Sequence, residues 1–116
     1  MKESIVKEKS MCFAIRVVRC YKYLIEEKHE FVLSKQLLRC GTSIGANIKE
    51  ALRGQSRPDF AAKMNISLKE ASECEYWIEL LMNTEYLPKE SAQSLLEDCL
   101  ELIKILTSIV KSSNEK

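Results

Sequence analysis

The chain has 116 residues, of which 46% are hydrophobic and 30% charged, and its formal net charge is +1. Three glycines and two prolines are few for this length, which favours one all-α domain around a single core. The sequence has neither an uncharged apolar run of about eighteen residues nor an apolar signal segment at its start, so we expect a cytoplasmic protein that does not enter a membrane.

The five cysteines are odd in number and include no Cys-x-x-Cys pair. This pattern argues against a disulfide framework and against a zinc site. We predict that they are reduced thiols used as small core residues, and that the chain needs no metal or cofactor. They are Cys12, Cys20, Cys40, Cys74 and Cys99.

The charges are divided unevenly along the chain. Residues 1–57 hold twelve basic and six acidic side chains, a charge of +6, whereas residues 58–116 hold six and eleven, a charge of −5. Either the two halves attract each other in the fold, or the basic half faces an anionic partner.

The first predicted helix covers residues 4–28, where apolar residues recur at steps of three and four. The segment after it breaks that period and is predicted to be a short connection. Glu26 and His29 have the Glu-x-x-His spacing of a di-iron bundle site, but His29 is the only histidine. We therefore predict a surface loop histidine and no metal site.

The second predicted helix, residues 34–53, has Ser34 as its expected N-cap and Gly54 just after its end. Two interior glycines, Gly41 and Gly45, each cost roughly 1 kcal/mol relative to alanine. At about 100° per residue they fall on the predicted buried face, so we predict that they allow close helix packing. The other residues of that face are Leu37, Ile48 and Leu52.

The opposite face of the second helix carries four cations within a sector of roughly 80°. Charged side chains opposite a core stripe usually form a solvated face. A helix face that carries only positive charges can also bind an anionic partner through its phosphate groups. The candidate nucleic-acid-binding residues are therefore Lys35, Arg39, Lys49 and Arg53.

The third predicted helix covers residues 57–85, with Ser56 and Asp59 as a capping box and Pro58 in its first turn. Three further residues widen its apolar arc beyond what one flank of a monomeric bundle needs. These residues are either a contact with another subunit or rings at the edge of the bundle. They are Tyr76, Trp77 and Leu80.

The fourth predicted helix covers residues 88–112, and the last five residues are expected to fray. Four helices with short connections favour an all-α, antiparallel, up-down-up-down four-helix bundle, in one domain over residues 1–116. We also predict a structural polar cluster between the second and third helices, with Arg53 or Arg57 as its partner. Its members are Asn47, Glu50 and Glu70.

Two blocks of the sequence resemble the signature of the four-helix bundle proteins encoded in intervening sequences of large-subunit ribosomal RNA genes. The first block matches Leu-x-x-Gln-x-x-Arg and then Ser-Ile-x-x-Asn-Ile-x-Glu, and the second matches an aromatic residue followed by Ser-Leu-x-Glu. Where the family pattern continues with Ala-Glu-Gly, this chain has Lys49, Glu50 and Ala51. The matching residues are Leu33, Gln36, Arg39, Ser43, Ile44, Asn47, Ile48 and Glu50, then Phe60, Ser67, Leu68 and Glu70.

The resemblance implies a homo-oligomer, a pentamer in that family. A related branch, the accessory variability protein of diversity-generating retroelements, works with a reverse transcriptase and its RNA, although that branch is strongly basic and this chain is nearly neutral. We predict no catalytic residue, because the sequence lacks a second histidine and a glycine-rich phosphate loop after a strand. The leading hypothesis is a non-enzymatic oligomeric module that binds RNA or a nucleoprotein. The alternative is a protein-binding or structural adaptor.

Overall fold

The computed structural model describes residues 1–114 and contains four α-helices in that range. Every helix end lies within two residues of its predicted position; α1, for example, spans 2–26 where 4–28 was predicted. The helices are α1 (Lys2–Glu26), α2 (Leu33–Leu52), α3 (Arg57–Asn83) and α4 (Lys89–Asn114).

Consecutive helices pack side by side, and α4 also packs on α1 to close the bundle. In the described part of the chain no Cα atom of α2 lies within 8 Å of one of α4, so the two helices lie diagonally across a bundle of 48 × 20 × 19 Å. The all-α four-helix bundle predicted from the sequence is confirmed. Within residues 1–114, none of the helices offers a stretch that is both long and apolar enough to cross a membrane.

The core runs along the bundle axis and is built from the apolar stripes of all four helices. The prediction that Leu52 lies on the buried face of α2 is wrong, because Leu52 is 40% exposed. Ile44 and Ile48 are buried, as expected for the apolar stripe, and Ala51 takes the place of Leu52 in the last turn of the helix.

The cysteines are all free thiols, but they do not share one environment. Cys40, Cys74 and Cys99 are buried, and the Cys74 thiol donates a hydrogen bond to the Cys40 sulfur at 3.0 Å. Cys20 is half-buried, and the prediction of a core role is wrong for Cys12, which is exposed on α1.

The start of α2 differs from the prediction that Ser34 is its N-cap. Val32 occupies the cap position, and the Glu30 carboxylate accepts hydrogen bonds from the backbone N–H groups of Val32, Leu33 and Ser34 at 3.2, 3.0 and 2.7 Å. Ser34 is buried inside the helix and donates to the Glu30 carbonyl at 2.7 Å. Burial acts to raise the pKa of Glu30, but the three backbone donors outweigh it and lower that pKa.

The start of α3 agrees with the predicted capping. The Ser56 hydroxyl accepts a hydrogen bond from the Asp59 backbone N–H at 3.1 Å, and Pro58 lies in the first turn. Gly54 lies in the short connection before this cap. A Cβ on Gly54 would lie 2.7 Å from Asp59 Oδ2 and 3.0 Å from the Ala51 carbonyl oxygen, so a larger residue there requires the Asp59 side chain to move and crowds the last turn of α2.

Two expectations concern the loops and the tail. His29 is exposed in the α1–α2 connection, as predicted, with a positive φ of 53°. The expected fraying of the last five residues is wrong for residues 112–114, because α4 continues to Asn114. For Glu115 and Lys116 that expectation lies outside the described residues.

Candidate nucleic-acid interface

The outward face of α2 presents the four cations predicted from the sequence. Lys35, Arg39, Lys49 and Arg53 are all exposed, because α2 turns its apolar arc towards α1 and α3. Lys35 and Arg53 are eighteen residues apart, which corresponds to about 27 Å along the helix at 1.5 Å per residue. The cations therefore span a little over half of the 48 Å length of the bundle.

Arg39 differs from the other three cations because α3 neutralises it. Its guanidinium lies 3.3 Å from Glu70 Oε1 and 2.5 Å from Glu73 Oε2. The hydrogen bond that Arg39 donates to the Glu73 carboxylate raises the pKa of Arg39. The hydrogen bonds from Arg39 and from the Trp77 indole N–H lower the pKa of Glu73. Arg39 thus joins α2 to α3.

Lys35, Lys49 and Arg53 have no acidic partner within 4.0 Å among residues 1–114. The nearby acidic side chain on α2, Glu50, is itself paired with Lys63 Nζ at 2.9 Å. The uncompensated positive charge of this face therefore comes from three side chains rather than four. We call Lys35, Lys49 and Arg53 the free basic face.

The residues of the predicted polar cluster do not share one network. The Asn47 amide donates to the Ser43 carbonyl of its own helix at 2.8 Å. Glu50 pairs with Lys63, and Glu70 pairs with Arg39. The two carboxylates do link α2 to α3, but their partners are not the predicted Arg53 or Arg57.

The two glycines of α2 lie where α1 crosses it. Gly41 is buried, and a Cβ there would be 2.7 Å from Val17 Cγ1 of α1. A Cβ on Gly45 would be 3.3 Å from the Ser10 hydroxyl oxygen. The absence of side chains at these positions lets α1 approach the α2 backbone.

The predicted oligomer-contact residues lie on the outer part of α3. Tyr76 is 58% exposed, and its ring meets the Trp77 ring edge-on with centroids 5.0 Å apart. Trp77 is half-buried and donates its indole N–H to Glu73 Oε2 at 2.8 Å. Leu80 is also half-buried. This arrangement leaves an aromatic surface next to the Arg39 ion pairs.

The geometry holds no constellation for metal chemistry in residues 1–114. No group of three or more His, Cys, Asp or Glu side chains in that range is placed to hold a metal ion. The described buried polar side-chain atoms all have hydrogen-bond partners.

A family model for 23S rRNA-intervening sequence proteins matches residues 2–108, which cover most of the four helices. The chain belongs to that family. The chain is also similar to a protein of solved structure, a protein with unknown function from the S23 ribosomal protein family from Bacteroides thetaiotaomicron. The two chains share 57% sequence identity and superpose with a TM-score of 0.94, over 96% of this chain and 99% of the other. No curated protein matches the chain. Neither description names a catalysed reaction.

In this member of the intervening-sequence family, the two sequence blocks that resemble the signature touch each other. Arg39 of the first block pairs with Glu70 of the second at 3.3 Å. The buried Ser67 hydroxyl of the second block donates to the Ile44 carbonyl of the first at 2.9 Å. These contacts give the matching polar residues a structural role at the α2–α3 interface.

The acidic partners of Arg39 were missed by the sequence analysis, although a signal for them exists. The turn between α2 and α3 sets an antiparallel register in which paired residue numbers add to between 111 and 114, as in Ile44 with Ser67 and Cys40 with Cys74. By that sum Arg39 falls opposite residues near 73. Glu73, at that position on the edge of α3 nearest α2, could therefore have indicated that Arg39 is neutralised.

Proposed function

We propose that this intervening-sequence family member is a non-catalytic cytoplasmic module that binds RNA through the free basic face of α2. One observation carries the proposal. Three exposed cations on one helix face have no acidic partner among residues 1–114, while the neighbouring acids Glu50, Glu70 and Glu73 are occupied by Lys63 and Arg39. A phosphate chain approaching this face meets positive charge that the protein has not used for itself.

The chemistry of this face suits phosphates better than base edges. Lysine and arginine side chains on an exposed helix bind the backbone and fix orientation without reading sequence. The Asn47 amide, a group able to read a base, already donates to the Ser43 carbonyl. With a net charge of +1, the whole chain exerts little long-range attraction, so affinity depends on the local face and on salt.

We further propose that copies of the chain associate into a ring-like homo-oligomer, a pentamer by family resemblance, through Tyr76, Trp77 and Leu80. Exposed aromatic rings are enriched at protein interfaces. Assembly repeats the free basic face on every copy, which raises the avidity for a long RNA without any new contact. Light scattering behind size exclusion tests this: Tyr76→Ser lowers the mass of the particle, whereas Leu100→Ser on exposed α4 does not. A wild-type monomer overturns the assembly proposal.

The test of RNA binding removes the three free charges and compares the result with a matched variant. The test variant carries Lys35→Gln, Lys49→Gln and Arg53→Gln. The control removes three exposed cations of α4 that lack acidic partners in the described range. One of them lies in the last turn of α4, which matches the position of Lys49 in the last turn of α2. The control substitutions are Lys89→Gln, Lys104→Gln and Lys111→Gln.

Fluorescence anisotropy with a labelled single-stranded RNA, between about 50 mM and about 200 mM salt, is the readout. Each phosphate contact with a single strand contributes about −0.7 to the slope of log K against log salt, so the test variant lowers the magnitude of that slope by about 2. The control has the same net charge as the test variant but keeps the wild-type slope, because its three cations lie on α4 and not on the free basic face. Equal losses in both variants, or no RNA binding by the wild type at the lowest salt, contradict the proposal.

The exposed Tyr76–Trp77 pair favours the second candidate function, a protein-binding adaptor. Such a complex depends on apolar burial and persists at high salt, where phosphate contacts weaken. A partner that is retained at about 1 M salt and lost in the Tyr76→Ser variant supports the adaptor. Binding that disappears with rising salt and is lost in the variant with Lys35→Gln, Lys49→Gln and Arg53→Gln supports RNA.

A further inference from the structure

A cleft of about 310 Å³ opens between α1 and α4, close to the connection from α3. Its lining has two parts, an apolar wall and a polar rim. The wall consists of Cys20, Leu87, Pro88 and Leu95, and the rim of Arg16, Arg19, Tyr23 and Ser91. None of these residues belongs to the free basic face or to the aromatic surface of α3.

The rim is cationic and already partly ordered. The Arg16 guanidinium is held by Asp98 Oδ2 at 2.6 Å, the Ser94 carbonyl at 3.2 Å and the Ser94 hydroxyl at 3.1 Å. Arg19 has no acidic partner within 4.0 Å in residues 1–114, and no carboxylate lines the cleft. Arg19 therefore supplies the unpaired charge, and Arg16 forms a fixed edge beside it.

The wall offers burial to an uncharged body. Leu87 and Leu95 are almost fully buried and close the inner side. Burial raises the pKa of Cys20 to about 11, so its thiol is neutral at physiological pH and presents a polarisable apolar surface. The cleft combines an apolar surface with a few polar groups at its mouth, which is the usual composition of small-molecule sites.

We propose that this cleft binds a small organic anion, in which one phosphate or carboxylate head meets Arg19 and an apolar or aromatic body packs against Leu87 and Leu95. The size follows from the volume. A volume of about 310 Å³ lies at the lower end of the roughly 300–1,000 Å³ typical of ligand clefts, which suits a small molecule. An arginine fork matches both phosphate and carboxylate oxygens, so the two heads share one recognition chemistry.

The proposal is tested by titrating isotope-labelled protein with phenyl phosphate and, separately, with 3-phenylpropionate, while amide chemical shifts are followed by NMR. The two probes carry a phosphate head and a carboxylate head, so they distinguish the two kinds of anion. At least one of the two saturates the cleft, with shifts centred on Arg19, Tyr23 and Ser91. Inorganic phosphate and phenol, the head and the body alone, each bind at least about tenfold more weakly. Equal binding by inorganic phosphate, or shifts away from the cleft, overturns the proposal.

Two variants and one control locate the site. Arg19→Gln weakens binding of the preferred probe about tenfold, as expected when one charged hydrogen-bond donor is lost. Ser91→Phe fills the mouth without changing the charge and abolishes binding. Lys22→Gln removes one exposed charge from the same helix outside the lining and leaves binding unchanged. Unchanged affinity in both test variants overturns the assignment.

A second readout follows the thiols of the unmodified chain. The preferred probe at saturation slows alkylation of Cys20, which lines the cleft, while the exposed Cys12 of the same helix reacts at its original rate. Protection of both thiols, or of neither, contradicts occupancy of the cleft.

Discussion

Replacing the two interior glycines of α2 by alanine should change stability in opposite directions. Each replacement gains about 1 kcal/mol from helix propensity. At Gly41 the new Cβ meets Val17 Cγ1 at 2.7 Å and Val17 Cγ2 at 2.8 Å. Val17 is fully buried and β-branched, with one strongly preferred rotamer in a helix, so it cannot turn away.

Separating α1 from α2 to admit that methyl group costs about 1–3 kcal/mol, so Gly41→Ala destabilises the bundle by about 1 kcal/mol in total. At Gly45 the new Cβ lies 3.3 Å from the Ser10 hydroxyl, which donates to the Lys7 carbonyl of its own helix and needs to shift by only a few tenths of an ångström. Gly45→Ala therefore stabilises by about 0.5–1 kcal/mol.

Thermal unfolding followed by circular dichroism, at one protein concentration for all variants, measures the contrast. An unfolding entropy of about 2.1 cal/mol/K per residue gives roughly 4 °C per kcal/mol for this chain, so the two variants differ in Tm by about 6–8 °C. A Tm that rises as much for Gly41→Ala as for Gly45→Ala refutes the close-packing argument. In the Gly41→Ala background, Val17→Ala should cost at least about 1 kcal/mol less than in the wild type.

Three further predictions concern the caps and the thiols. Glu30→Gln destabilises the bundle by about 1–2 kcal/mol at neutral pH. Because folding lowers the pKa of Glu30, the carboxylate contributes its full stabilisation above the unfolded-state pKa of about 4.3 and loses it as the pH falls through the folded-state pKa. Urea unfolding at several pH values measures this dependence. Ser56→Ala removes the side-chain cap of α3 and costs about 1 kcal/mol, or about 4 °C in Tm. Brief alkylation followed by peptide mass spectrometry labels Cys12 before Cys20, and the Cys20 rate rises roughly tenfold per pH unit below its pKa of about 11. The argument for Glu30 is contradicted if Glu30→Gln lowers the free energy of unfolding equally at pH 3 and pH 7. An unchanged Tm for Ser56→Ala contradicts the capping argument, and an alkylation rate of Cys20 that does not depend on pH contradicts the argument for its pKa.

The helices were predictable because each signal is local to one segment. Apolar residues at steps of three and four mark the buried stripe of every helix, and Ser56 caps α3 through a residue only three positions away. The start of α2 was predicted wrongly although its signal is equally local. Serine is a preferred N-cap and glutamate is not, but Glu30 precedes the helix at a distance from which its longer side chain reaches three backbone donors.

The candidate interface was less predictable because it depends on which helices face each other. The stripe on α2 is visible in the sequence, but the neutralisation of Arg39 requires the register and the rotation of α3. Leu52 shows the same limit, since a shift of one residue in the buried arc replaces it by Ala51. Helical angles within one segment are fixed by geometry, whereas partners across segments are fixed by packing.

The free basic face and the α1–α4 cleft lie on different sides of the bundle, and this separation has a thermodynamic consequence. The face points outward from α2, the cleft borders α4, and the two helices are diagonal in a cross-section of 20 × 19 Å. The two sites share no residue, and free-energy changes at independent sites more than about 10 Å apart usually add. RNA binding at low salt should therefore leave the affinity for phenyl phosphate or 3-phenylpropionate unchanged within about twofold. A larger change in the presence of RNA means that α1, which contacts both α2 and α4, transmits a coupling free energy, and the reciprocal effect on RNA affinity must then have the same size.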